Sequence, residues 1–172
     1  MVDPLAPSPH PCARCALAQK TCCQRAEVVL TRGDVARIRA ATGRSEFSAW
    51  RSPSDPAYGA VDGDDPNWVA WTVRRDGTRR VLQRRANGDC TFLGAQGCEL
   101  AAAVRPLVCR LYPFTYTERA ITGVDGDYCP TRLLAPRGES MAEVLGMSPL
   151  DAERWRAMLY DELRAEARQE MA

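Results

Sequence analysis

Eight cysteines are the residues of this 172-residue chain whose type and spacing could carry chemistry. Cysteine thiolates are soft ligands that favour zinc, cuprous copper and iron–sulfur clusters over magnesium or calcium. The first group has the pattern C-x2-C-x6-C-C, and the second has the pattern C-x7-C-x10-C-x19-C. The candidate metal ligands are Cys12, Cys15, Cys22, Cys23, Cys90, Cys98, Cys109 and Cys129.

The cellular compartment decides whether such cysteines form disulfides or bind metal. The N-terminal sequence MVDPLAPSPHPCARC lacks the positive start and apolar run of a secretory signal, and no apolar stretch approaches the length of a bilayer span. We therefore expect a cytoplasmic protein with no membrane partner and with reduced cysteines. His10 is the only histidine, so a metal site must consist mostly of thiolates.

Cysteine spacing also bears on which metal these thiolates would hold. Structural zinc sites usually draw their ligands as two close pairs, each on a short knuckle. Cys12 and Cys15 fit one such pair, whereas the later cysteines are too far apart to form a second. A cluster accepts thiolates from several directions, which suits wide spacing. We predict an iron–sulfur cluster of the 4Fe–4S type as the cofactor, with zinc as the alternative.

The adjacent cysteines Cys22 and Cys23 limit how many thiols can reach one metal. Their side chains would point to opposite sides of a strand, or about 100° apart around a helix. Either one of them packs while the other binds, or the pair serves two metals, and the sequence leaves both arrangements open. Arg105 and Arg110 flank Cys109. We expect them to offset the negative charge of the centre, with ordinary solvation as the equal alternative.

The elements that must position these cysteines are predicted to be short. Ala26–Leu30 predicts a strand, and Thr31 with Asp34 predicts the capped start of a helix that ends at Gly43. Phe47 and Trp50 predict one further helical turn.

A hairpin is predicted next. Trp68–Val73 and Arg79–Arg85 would be its strands, joined around Asp76-Gly77. Glu99–Val104 predicts a brief helix ended by Pro106, and Phe114–Val124 predicts another strand pair.

The C-terminus predicts the clearest helix, capped by Ser148, with Pro149 in its first turn. Its apolar stripe consists of Trp155, Met158, Leu159 and Leu163. Together these elements predict an α+β fold: a small, irregular, cysteine-rich and metal-centred domain with short antiparallel strands and a C-terminal helix. We expect residues 1–11 to be a proline-rich tail, 12–135 the metal-binding domain, and 136–172 a helical segment packed on it.

An arginine-rich stretch runs through the predicted hairpin. Because Lys+Arg 23 nearly balances Asp+Glu 22, we expect no nucleic-acid partner. We interpret the stretch as a solvated hairpin edge, with a contact to an anion, RNA or an acidic protein as the alternative. The arginines are Arg74, Arg75, Arg79, Arg80, Arg84 and Arg85.

The second cysteine group carries a recognisable motif. Arg105–Pro113 reads R-P-x-x-C-R-x-Y-P, and Cys129-Pro130 follows later. These residues, with the Cys22-Cys23 pair, resemble the YkgJ-type cysteine-cluster family over residues 12–131. The resemblance implies a zinc- or iron-chelating domain. One departure is the longer spacer between Cys15 and Cys22, since the first group of that family is usually tighter.

Three functions are compatible with such a centre. We expect a metal-binding module that acts in redox chemistry, in metal handling or as an accessory to a partner enzyme. The first alternative is a structural zinc domain that mediates contact with a protein partner. The second is an enzyme in which the metal or a thiolate of low pKa acts on a protein or small molecule, with catalytic residues unknown.

Overall fold

The computed structural model describes residues 11–18, 21–125 and 129–171, and His10 lies outside that part of the chain. The helices there are α1 (Pro11–Ala18), α2 (Cys22–Arg25), α3 (Arg32–Thr42), α4 (Pro66–Thr72), α5 (Leu107–Leu111), α6 (Thr131–Leu134), α7 (Met141–Val144) and α8 (Pro149–Met171). The strands are β1 (Ser48–Arg51), β2 (Arg79–Leu82), β3 (Leu93–Gly94), β4 (Gly97–Cys98), β5 (Phe114–Tyr116) and β6 (Ile121–Val124). They pair as β1-β2, β3-β4 and β5-β6, all antiparallel. The predicted α+β class is confirmed.

Local sequence signals define α3 as predicted. The hydroxyl of Thr31 accepts a hydrogen bond from the Asp34 amide at 2.9 Å, and the Thr31 amide donates back to the Asp34 carboxylate at 3.2 Å. Gly43 ends the helix with a φ of 68°, a left-handed conformation that glycine adopts without strain. The segment before α3 is extended, and Val29 forms a β-bridge with Val81.

Trp50 belongs to a strand, so the predicted helical turn at Phe47 and Trp50 is wrong. Strand β1 pairs with β2, and Trp50 lies opposite Arg80 in this register. Phe47 directly precedes β1 and packs on Phe92, with their ring centroids 5.7 Å apart. Pairing with a distant strand therefore outweighs the local helical pattern.

The predicted strand Trp68–Val73 is also wrong, because most of it belongs to α4. The turn at Asp76-Gly77 connects α4 to β2 and makes no hairpin. Trp68 and Trp71 are three residues apart and so share one helix face. Both rings contact Tyr160 of α8, at centroid distances of 6.0 and 6.5 Å. Aromatic residues favour strands in general, and here packing against α8 decides otherwise.

The second cysteine group lies among turns. Glu99–Val104 forms turns rather than the predicted helix, and the helix of this region, α5, starts after Pro106. The residue before a proline avoids the helical conformation, so a helix can begin only beyond it. The strand pair predicted in Phe114–Val124 is confirmed as β5 and β6.

The long C-terminal helix α8 packs on the domain through its predicted stripe. Leu159, Tyr160 and Leu163 are buried against Leu107 and Leu111 of α5. Helix α8 therefore completes the core beside one cysteine-bearing helix. None of the helices in the described ranges combines the length and the apolar character needed to cross a bilayer.

A buried polar network joins α3, α5 and α8, and we call it the Asp34 network. Asp34 is fully buried and accepts hydrogen bonds from Arg37 at 2.7 Å and from the Leu107 amide at 3.1 Å. Arg37 also pairs with Glu162 of α8 at 2.5 Å. A Cβ at position 33 would overlap the carboxylate of Glu162, so only glycine fits here while Glu162 keeps its position. The start of α3 is therefore fitted closely against α8.

Two arginines of the predicted solvated patch are structural instead. Arg79 is 1% exposed and pairs with the carboxylate of Glu27. Arg84 donates hydrogen bonds to the carbonyls of Cys23 at 3.0 Å and Gly88 at 2.7 Å. Both guanidinium groups are bound to acceptors of the protein and are not free to face solvent. For these two residues the interpretation as a solvated hairpin edge was therefore wrong.

Candidate metal centre

Helix α1 brings the first two cysteines to the second cysteine group. Cys12 and Cys15 lie about one turn apart on α1, and Cys15 is buried. A Cβ placed on Gly97 would lie 3.8 Å from the Cβ of Cys12, so α1 packs on strand β4. Gly97 has a φ of 97° and is followed by Cys98. The β3-β4 hairpin therefore holds Cys98 close to α1.

Helix α2 carries Cys22 and Cys23 and is hydrogen-bonded to Cys90. The Cys22 and Cys23 side chains are hydrogen-bonded to each other in the first turn of α2. The Cys23 carbonyl accepts a hydrogen bond from the Cys90 amide at 2.9 Å. Arg84 donates to the same carbonyl. A backbone hydrogen bond and the Arg84 side chain thus hold Cys23 of the first group beside Cys90 of the second.

The last two cysteines occupy separate elements. Cys109 lies on α5, and Cys129 lies two residues before the start of α6. The hydroxyl of Tyr112 lies 3.3 Å from the Cys129 sulfur, within hydrogen-bonding distance. Cys129 also packs against an apolar cluster that contains Cys15, Leu134 and Met141.

Electrostatic coupling between the thiols divides them into two sets. The first set consists of Cys23, Cys90, Cys98 and Cys109. Every pair within it is close enough for charge on one thiol to raise the pKa of the other. Cys23, Cys90 and Cys98 also pack in one apolar cluster. The second set consists of Cys12, Cys15 and Cys129, which are coupled in the same way.

The two sets meet at the adjacent pair. Charge on Cys23 also raises the pKa of Cys12 and of Cys15, and Cys22 is coupled to Cys12 and Cys109. Cysteines of both groups therefore lie near one another in the fold. Among the described residues, no three His, Cys, Asp or Glu side chains are drawn together tightly enough to hold a single metal ion.

Burial and hydrogen bonding set the protonation of these thiols. Burial raises the pKa of Cys12 and of Cys90 to about 11, and it raises that of Cys109 further. The hydrogen bond donated by the Cys22 thiol lowers the pKa of Cys23 and raises that of Cys22. Most of these thiols would have to release a proton on binding metal, since the thiolate is the ligand.

The two predicted arginines differ in position. Arg105 hydrogen-bonds to the Cys98 thiol, and its charge favours the thiolates of Cys12 and Cys23. Arg110 donates to the Arg105 carbonyl at 2.8 Å and to the Ala103 carbonyl, so it is engaged with the backbone. The fold brings Arg105 to the thiols and brings Arg110 to the turn beside them.

The donor set is what a soft metal or a cluster requires. It consists of thiols from several elements, partly buried in apolar surroundings, with one guanidinium among them. Thiolates of this kind bind zinc or iron–sulfur centres, and a nearby cation offsets the negative charge of such a centre.

Two residues that lie beside the thiols, Tyr112 and Arg84, were not predicted from the sequence as site residues. Tyr112 stands within the R-P-x-x-C-R-x-Y-P motif, and its aromatic hydroxyl three residues after Cys109 was the available signal. Arg84 lay within an arginine-rich stretch, and no local signal separates it from its neighbours. Its role at the Cys23 carbonyl is visible only in three dimensions.

Comparison with known families gives a match that spans both cysteine groups. The family model CxxCxxCC, described as "Putative zinc- or iron-chelating domain", matches residues 11–130. No curated protein and no solved structure matches the chain. The matched range begins at the start of α1 and ends just after Cys129, so it contains both cysteine groups.

Proposed function

Because the chain belongs to this family of zinc- or iron-chelating domains, we propose that it is a metal-binding protein whose centre is a 4Fe–4S cluster. Membership of the family supports metal binding in general. The cluster, and its use in redox chemistry, metal handling or support of a partner enzyme in the cytoplasm, are the proposal. The observation that carries it is the electrostatic coupling of Cys23, Cys90, Cys98 and Cys109, three of which also pack in one apolar cluster.

The first set suits a cluster better than a zinc ion. A tetrahedral zinc site holds each sulfur about 2.3 Å from one ion and favours ligands from short knuckles. The four thiols of the first set come instead from α2, from the chain before β3, from β4 and from α5. A cluster offers each thiolate its own iron, so ligands from four separate elements can be accommodated.

The residues around the first set have separate tasks in this proposal. Cys23, Cys90, Cys98 and Cys109 would hold the cluster, which supplies one-electron transfer when bound. Cys22 would act on Cys23 as a hydrogen-bond donor, and Arg105 would offset negative charge beside Cys98. The apolar cluster that contains Cys23, Cys90 and Cys98 would exclude water.

Metal and sulfide analysis after oxygen-free purification tests this function. We expect brown protein with roughly four iron atoms and four acid-labile sulfides per chain, the content of a 4Fe–4S cluster. Zinc in addition to iron would assign a second centre to Cys12, Cys15 and Cys129. Colourless protein with zinc alone, which unfolds on chelation, would contradict the cluster and favour the structural zinc domain.

Arg105 offers a test of how the chain tunes the centre. We expect Arg105→Gln to keep the iron content and to make the reduction potential more negative, because one favourable charge near the thiolates is lost. A unit charge about 8 Å away contributes about 2 kcal/mol at an effective dielectric constant near 20, so the shift should be on the order of tens of millivolts. Spectroelectrochemical titration measures it.

Two matched variants control for this effect. Arg105→Lys keeps the charge and should restore most of the potential. Arg110→Gln removes an arginine that bonds backbone carbonyls and should leave the potential unchanged. Equal potentials for Arg105→Gln and the unaltered protein would show that Arg105 does not act on the centre.

A further inference from the structure

A cavity of about 660 Å³ lies between β1, β2, α4 and α8, and no cysteine lines it. Its size falls within the range of about 300–1,000 Å³ that is usual for ligand sites. Leu30, Leu163, Trp50 and Trp71 are among the apolar residues that line it. Trp50 is 38% exposed, so apolar surface is accessible at the mouth.

The side chains that line this cavity carry an excess of positive charge. Two carboxylates, Asp76 and Glu166, face a larger number of guanidinium groups. Asp76 is engaged by Thr78, whose amide and hydroxyl donate to it at 2.9 and 2.7 Å. Glu166 accepts from Arg80 at 2.8 Å. The arginines that line the cavity are Arg32, Arg74, Arg75 and Arg80.

Stacking holds two of these guanidinium groups in place. The guanidinium of Arg74 lies 3.3 Å from the ring centroid of Trp50, and that of Arg80 lies 4.7 Å from it. A planar guanidinium fixed on an aromatic ring is oriented before any ligand arrives, and it can receive a carboxylate through two parallel hydrogen bonds. Arg75 is exposed beside Arg74 and adds charge at the mouth.

The same contacts disfavour nucleic acid. Binding of single strands relies on aromatic faces on which bases stack. The guanidinium of Arg74 already stacks on the Trp50 ring, where a base would stack. The indole of Trp71 contacts Tyr160 and lies 5.4 Å from Arg164. The cavity therefore offers oriented cations rather than open stacking faces.

We propose that this cavity docks an acidic peptide segment of a partner protein. Glutamate or aspartate carboxylates of the segment pair with Arg74 and Arg75, and an apolar side chain of the segment packs on the exposed part of Trp50. Long-range attraction by the arginines speeds the encounter, and the paired carboxylates fix its register. This docking site is separate from the thiols and does not depend on the identity of the metal.

Fluorescence anisotropy of the purified full chain tests the proposal. The probe is a short fluorescein-labelled peptide of glutamate and leucine, and the control probe has lysine in place of glutamate. We expect the acidic probe alone to bind, and to bind more weakly as salt is added. The variant Arg74→Glu with Arg75→Glu should weaken binding at least about tenfold, as expected for reversal of two contacting charges.

The control variant carries Arg119→Glu with Arg137→Glu, which change the net charge equally at exposed positions outside the cavity. It should bind the acidic probe like the unaltered protein, and both variants should keep their metal content. Any of three results would overturn the proposal: no binding of the acidic probe at millimolar concentration, equal weakening by both double variants, or tighter binding of a single-stranded oligonucleotide through Arg74 and Arg75.

Discussion

Cys23→Ser should abolish the metal centre, because Cys23 is coupled to every other thiol of the first set and links that set to Cys12 and Cys15. A serine hydroxyl is a poor ligand for soft metals. We expect iron and acid-labile sulfide to fall to background, and the free energy contributed by the centre to be lost. That contribution is about 10–16 kcal/mol for structural zinc sites in small domains, where it dominates stability. Metal analysis and thermal unfolding measure both losses.

The neighbouring cysteine supplies a matched control. Cys22 donates a hydrogen bond to Cys23 but is coupled to only part of the first set. We expect Cys22→Ser to keep the iron and sulfide, since a serine hydroxyl at this position can donate the same kind of hydrogen bond. If Cys22→Ser lost the centre and Cys23→Ser kept it, our assignment of the pair would be reversed. If neither substitution altered the metal content, the first set would not be the binding site.

Asp34→Ala should be the most damaging single substitution away from the thiols. Asp34 is fully buried, and its loss would leave the Arg37 guanidinium and the Leu107 amide without their shared acceptor. Removing one partner of a buried, hydrogen-bonded ion pair costs about 3–5 kcal/mol. Because domains are usually stable by about 5–15 kcal/mol, much of the fold's stability would be lost. Urea unfolding monitored by circular dichroism measures this change.

An exposed aspartate provides the comparison. Asp161 of α8 is 72% exposed and pairs with Arg164 at 2.9 Å. We expect Asp161→Ala to change stability by less than about 1 kcal/mol, because exposed ion pairs contribute little. A cost for Asp34→Ala as small as that for Asp161→Ala would show that the Asp34 network does not hold α3, α5 and α8 together.

The sequence was a good guide where structure is set by neighbouring residues. Thr31 and Asp34 form a capping box within one turn, and Gly43 supplies a backbone conformation that local sterics demand, so α3 could be predicted. Trp50 and Trp68 could not be assigned in this way. Their patterns suit either structure, and the choice is made by β2 and by Tyr160, which lie far away along the chain.

The same distinction between local and distant determinants applies to the candidate site. Every cysteine and Arg105 could be proposed from residue type and motif, because thiolate chemistry is a property of the side chain itself. The separation into two sets could not be predicted. It depends on Cys23 lying against Cys90, and that contact is made by a hydrogen bond between residues 67 positions apart in the sequence (90 minus 23).

Helix α8 lies beyond residues 11–130, the stretch shared with the family, yet it completes the core. A chain that ended at residue 130 would expose Leu107 and Leu111 to solvent, and Arg37 would lose its ion pair with Glu162. Such a shortened product should accumulate in inclusion bodies instead of yielding a smaller metalloprotein. We therefore expect affinity tags to be tolerated best at an end of the 172-residue chain, because residues 11–130 alone lack the helix that covers Leu107 and Leu111.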